Sequence, residues 1–364
     1  MKELGDLLVF LEENIDENHI ANAITMLKKT LNYEKVPYLP IRVNYDSGYK
    51  MRTISEVHKS LEAMLYNELV SCVSGIILKD YSLPMIRANY GVGTVPSLFG
   101  LKSKIVDGGM PWVEHLNTVE EIRDLVKCGI PDLNNGFGAK ISETHKFYRE
   151  TLKKYPKCNR QIKIYHSDCQ GPFDVAHLIW GSDIYMGMYD DPELFHDLMS
   201  LVTDTIIKFL DRELEETNGY SDGYNYHWGT LYNGKIVLRD DSSVNLSKDM
   251  YFEFIQPYNN RIAKHFESIS LHFCGRADQW VKEMIQIPQI NGVNFGYMEE
   301  RFNDDFLRFI KDVCLEQKVS IINYYMNCQE FEKMDKSIFQ TGMTIATNTD
   351  SLENARKIYN NYTN

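Results

Sequence analysis

From residue 268 onward the chain changes period at regular intervals, from side chains that alternate every second residue to apolar residues at helical spacing. Strands are expected at 268–274, 292–296, 319–326 and 343–347, with helices at 279–287, 304–315 and 351–362 between and after them. Upstream, strand candidates at 36–45, 83–91, 161–171 and 223–228 are interleaved with helices at 54–72, 118–128, 142–153 and 191–217. Alternation of this kind builds a parallel sheet, and eight strands are the number that closes a barrel. No hairpin signal stands against it. The expected fold is α/β, a single (β/α)8 TIM barrel over residues 36–364, with an N-terminal helical extension over residues 1–35.

The length, 364 residues, suits one such barrel, which commonly runs to about 250 residues and beyond. A formal net charge of -12, with no basic run, speaks against a nucleic-acid partner, because phosphate binding draws on clustered Lys and Arg. No stretch reaches the roughly 20 apolar residues of a membrane span, and the acidic start is no secretory signal. Seven cysteines without framework spacing fit a reducing, cytoplasmic setting. The glycines of Gly91-Val-Gly93 lack the third glycine of a dinucleotide fingerprint and read as a turn.

Candidate chemistry gathers at strand C-terminal ends, where barrel active sites form. In Ser268-Ile-Ser-Leu-His-Phe-Cys-Gly275, residues Ser268, Ser270, His272 and Cys274 share one strand face. An imidazole and a thiolate two residues apart can reach one borderline cation, for which zinc is the usual choice; the same spacing also suits a half-buried strand with no metal. His166, Asp168 and Gln170 share a face of their strand and are candidates to bind substrate or orient a ligand. Arg87 has the fork that matches a carboxylate or phosphate, and equally suits a buried ion pair. His227 and Asp241 come from adjacent segments and form a candidate acid/base pair. Tyr325 and Asn327 are expected at the barrel mouth.

The chain resembles the uroporphyrinogen decarboxylase (URO-D) superfamily, which includes methyltransferases that pass methyl groups between corrinoids and thiols. The carriers are Asp168-Cys-Gln-Gly-Pro172, Tyr189-Asp-Asp-Pro-Glu193, Asp241-Ser-Ser with Leu246-Ser247, Gln256-Pro-Tyr258, Leu271-His-Phe-Cys-Gly275 and the closing 342–354 stretch. The resemblance implies a barrel enzyme acting on a small molecule, with zinc as cofactor, a corrinoid as co-substrate and a corrinoid protein as partner. Where the decarboxylase carries an arginine-rich opening, this chain has Arg42-Val-Asn-Tyr-Asp-Ser-Gly-Tyr49; where the zinc methyltransferases carry a further cysteine, it has Met343. Glu299 and Cys328, each just after a strand, are then the candidates to join His272 and Cys274 on the metal. The leading expectation is zinc-dependent methyl transfer between a corrinoid and a thiol. The alternatives are cofactor-free decarboxylation of a porphyrinogen-like polycarboxylate, with Arg42, Arg52 and Arg87 as cations, and a barrel that binds without catalysis.

Overall fold

The structure, a computed structural model, describes residues 3–105, 108–296 and 304–363. Eight parallel strands form the wall: β1 Ile41–Asn44, β2 Met85–Arg87, β3 Lys163–Tyr165, β4 Ile236–Arg239, β5 Ile269–Cys274, β6 Ile290–Gly296, β7 Ser320–Tyr325 and β8 Met343–Asn348. Ladders join β4 through β8 in order and return from β8 to β1, while β2 pairs with β3. The seam between β3 and β4 is closed by a single bridge, Gln170 to Arg239. Between β1 and β2 the Tyr81 amide donates to the Ile41 carbonyl (3.3 Å). The expected (β/α)8 barrel is therefore present.

Its fourth strand is not the expected one. Residues 223–228 belong to an antiparallel hairpin, Tyr224–His227 with Thr230–Asn233, and the wall strand is β4, which the sequence reading passed over. Trp228 (φ 44°) and Gly229 (φ 76°) make the turn, the double positive φ that suits a two-residue hairpin. A second antiparallel pair, Ser103–Lys104 with Trp112–Val113, sits between β2 and β3. Tyr220–Ser221 also pairs antiparallel with Tyr224 and Asn225, so the expected absence of hairpins is corrected at three pairings. The first hairpin packs against β4, β5, β6 and β7 and occupies the barrel's interior. Asn233 Nδ2 donates to the Asn291 carbonyl (3.1 Å), and Ser270 Oγ donates to the Asn233 carbonyl (2.7 Å). At the tip, the Trp228 carbonyl accepts from Arg42.

Local signals elsewhere act as read. Thr118 and Glu121 form a capping box, and Asp191 caps the helix Pro192–Glu216 by accepting from the Leu194 amide. Helices Leu4–Asn14 and Glu17–Leu31 pack on the wall, the first against Leu61–Leu78 and the second against β8 and the hairpin. Helix Leu61–Leu78 is the one described helix long and apolar enough to cross a membrane; half of it is buried, and it packs against β1 and β2.

Candidate active site

Alternation along β5 turns His272 and Cys274 toward the interior, as parity demands. Gly296 lies opposite Cys274 in the β5–β6 register, and a Cβ there would sit 2.4 Å from Cys274 Sγ, so glycine makes the room that the thiol occupies. Beside His272 in the same register is Asn294. Its Nδ2 donates to the carbonyls of Ile322 (2.7 Å) and Asn323 (3.2 Å), which fixes the amide with Oδ1 facing the imidazole. His272 Nδ1 must then be the donor in their 2.5 Å hydrogen bond, and in the neutral ring Nε2 keeps its lone pair. That lone pair faces Cys274 Sγ at 3.6 Å and Asp241 Oδ1 at 3.4 Å.

Asp241 arrives from the end of β4. Its Oδ1 also accepts from the Cys274 amide (2.7 Å), and the turn holding it is anchored by Asp174, whose oxygens accept from the amides of Asp241 (2.8 Å) and Ser242 (2.7 Å). The donor atoms of Asp241, His272 and Cys274 lie within 4.8 Å of one another. A tetrahedral zinc with ligands at 2.0–2.3 Å separates them by about 3.3–3.8 Å. Burial opposes ionisation of Asp241, but the charge and proton that His272 offers when its ring is protonated, together with the hydrogen bonds from Cys274, hold the carboxyl below its ordinary value. Burial and the Asp241 charge push the Cys274 thiol up to about 12, so this protein's own groups do not make it a thiolate.

The position of the family's further cysteine, Met343, and the expected ligand Cys328 lie away from this cluster. Met343 shares its strand face with Ile345 and Thr347, registered with Ile41 and Val43; Arg42, which reaches the Trp228 carbonyl in the interior, lies on the opposite face. Met343 is thus fully buried among core side chains and holds no ligand position. Cys328 opens the helix Cys328–Lys333 and is not part of the three-residue cluster. Glu299 lies outside the described residues. Asn327 caps that same helix, and Tyr325 is half-buried opposite Ala346.

Asp168 is buried between two guanidinium groups, Arg87 Nη1 at 3.5 Å and the closer Arg239, with Gln170 Nε2 donating at 3.2 Å. Burial alone would raise its pKa; the two arginines outweigh that and keep the carboxylate charged below its usual range. Arg239 also lies over the Trp228 ring at 4.4 Å, and that ring meets His272 edge-on at 4.9 Å. The Arg87 fork is thus engaged in a buried pair. Both ring nitrogens of His166 are taken by backbone: Nδ1 donates to the Ser167 carbonyl (2.8 Å) and Nε2 accepts from the Val237 amide (3.3 Å), stitching the β3–β4 seam. Burial pushes its pKa down to about 4, consistent with that neutral tautomer. His227 and Asp241 do not pair. His227 is buried among Tyr165, His166, Trp228 and Tyr232 with neither ring nitrogen hydrogen-bonded, and burial holds it well below its ordinary pKa.

A second cluster, His145, Glu213 and Glu216, ties helix Gly138–Leu152 to Pro192–Glu216. Its carboxylates already accept from the Ser167 amide (2.6 Å) and from Ser142 Oγ (2.7 Å).

Residues 22–218, more than half of the chain, match the family model described as uroporphyrinogen decarboxylase (URO-D). The chain belongs to the uroporphyrinogen decarboxylase family. No curated protein matches it. Among solved structures, this URO-D family chain is similar to a methyltransferase from Methanosarcina mazei, with 14% identity, a TM-score of 0.64, and coverage of 92% of this chain and 96% of that one. At that identity the likeness speaks for the fold, which the two share nearly end to end.

Proposed function

We propose that this protein transfers a methyl group between a corrinoid and a thiol at a zinc site held by Asp241, His272 and Cys274, with a separate corrinoid protein as partner. The observation that carries the reading is the fixed tautomer of His272, which aims an unprotonated nitrogen at a thiol and a carboxylate within ligand spacing. Bound zinc supplies the positive charge that turns a thiol into a thiolate at neutral pH. The chain's residues do the rest. Asn294 orients His272, Gly296 leaves Cys274 its place, and the Trp228 ring supports the imidazole from the interior. Asp241 and Cys274 offset the metal's charge. Asp168, clasped by Arg87 and Arg239, braces the adjoining rim and keeps Arg239 over Trp228. In the transfer the carbon–cobalt bond breaks with its electron pair left on cobalt, a carbon–sulfur bond forms from the sulfur lone pair, and the thiol proton is released.

The test is anaerobic incubation of the zinc-loaded protein with methylcobalamin and a small thiol, followed by the cobalamin absorbance change. Thiol-dependent demethylation that falls at least about a hundredfold in Cys274→Ala is the expected result, the size of a lost transition-state electrostatic contact. No demethylation above the protein-free rate rejects the proposal.

Asn294→Leu removes the acceptor that fixes the tautomer while keeping the side-chain volume. Zinc affinity should fall about 10–100-fold, as loss of a ligand-orienting partner generally costs, with Asn294→Asp closer to wild type. Competition with a chromophoric chelator reads both; unchanged affinity in the Leu variant would separate His272 from the metal.

A further inference from the structure

We infer that the non-reacting part of the small-molecule substrate is an uncharged, flat apolar group, seated in a cleft beside Asp241; this rests on the proposed methyl transfer. The cleft encloses about 390 Å³, within the range of small-molecule sites and more than twice the roughly 150 Å³ that holds a single benzene ring. It starts at the reacting end, with Asp241 and Gln170, and runs outward under the Trp112–Val113 strand of the β2–β3 insertion.

Its walls are π surfaces and aliphatic groups. Trp112 forms the outer lip and is 62% exposed, a large indole area with nothing covering it. His115, His177, Val113 and Leu178 also line it. His177 is held by a 3.0 Å hydrogen bond between Nδ1 and Ser242 Oγ, and burial followed by the nearby His115 lowers its pKa, which favours the neutral ring. Gly181 (φ 74°) packs 3.1 Å from the His115 ring by the position a Cβ would take, so that ring rests on the helix end with no side chain between.

Charge decides the class of ligand. The acidic side chains of the lining are Asp241 and Asp174, the latter pushed up to about 7 by burial and the Asp241 charge; none of the described lining residues is lysine or arginine. The nearest guanidinium groups, Arg87 and Arg239, are both committed to Asp168. A substrate bearing carboxylate, sulfonate or phosphate would therefore shed its hydration along a lining that offers no lysine or arginine to meet it. A neutral ring meets surfaces that match it.

The experiment compares benzyl mercaptan with 4-(mercaptomethyl)benzoate, the same ring and thiol differing by one carboxylate, as acceptors from methylcobalamin at pH 7. Benzyl mercaptan should have at least a tenfold higher kcat/KM, and Ser182→Arg, an exposed change on the lining, should narrow or reverse that ratio. Equal use of the two thiols, or preference for the benzoate, overturns the inference. Where neither is turned over, which would reject methyl transfer itself, binding still decides the cleft. Benzyl alcohol should shift the fluorescence of wild type and not of Trp112→Leu, whereas phenylacetate should do so only in Ser182→Arg. Phenylacetate binding to wild type as tightly as benzyl alcohol, or no binding of either, removes the proposed class.

Discussion

Protein purified without chelators should carry about one zinc per chain, and His272→Ala, Cys274→Ala and Asp241→Ala should each bring it close to zero under the same dialysis. A site of three protein ligands with an open fourth position is the catalytic pattern for this metal, and removal of one leaves two, too few to hold it. Met343→Cys should change nothing, because that side chain faces the core rather than the interior of the barrel. Elemental analysis of the four variants beside wild type is the check. Full zinc in Asp241→Ala would place the third ligand elsewhere, and a gain of zinc in Met343→Cys would contradict the strand face assigned to that residue.

The largest stability effect is expected at Asp168. Asp168→Asn leaves Arg87 and Arg239 without their shared counter-charge in a site where the aspartate is 5% exposed, and removing one partner from a buried ion pair costs about 3–5 kcal/mol. The pH dependence has a definite sign. Because the folded carboxyl titrates below its unfolded value, its contribution is complete above the ordinary carboxylate pKa and is lost as pH falls through the folded one. Urea unfolding of both proteins should show a wide gap at pH 7 that closes in acid. A gap that is constant across pH would mean the asparagine acts through shape and not charge.

The site was half legible from sequence. Alternation in the 268–274 run was enough to put His272 and Cys274 on one face, since period two is a local property of any strand. Asp241 was noticed but given the wrong companion. It follows Arg239 and Asp240 directly, and once Ile236–Arg239 is read as a wall strand the aspartate falls on the same rim as Cys274. The aromatic run before it hid that strand. Tyr224 to His227 looks like a buried strand, and Trp228-Gly229 is not among the usual hairpin turns, although the Asp222-Gly223 turn just before it carries that signal and joins Tyr220–Ser221 to the same sheet. The count of eight therefore came out right with one member exchanged for another. The backbone partners of His166 are illegible for a different reason: nothing local reveals that a polar side chain will bond backbone at a seam between strands.

The interior hairpin also bears on the order in which the chain can assemble. Its own contacts are local and close through a two-residue turn, an event of about 1–10 μs. Its anchors come later in the chain, 37 residues on at Ser270, 58 at Asn291 and 87 at Ser320. Earlier partners are already waiting: Arg42, 186 residues back, and the Leu83 amide, which donates to the Gly229 carbonyl (2.8 Å), meet the tip, and Asn32 Oδ1 accepts from the Tyr224 hydroxyl (2.6 Å). The hairpin is thus available as a template before half of the wall has left the ribosome, and strands β5 to β7 close around an object that is already shaped. Loop-closure entropy falls on the strands that wrap it and not on the hairpin itself.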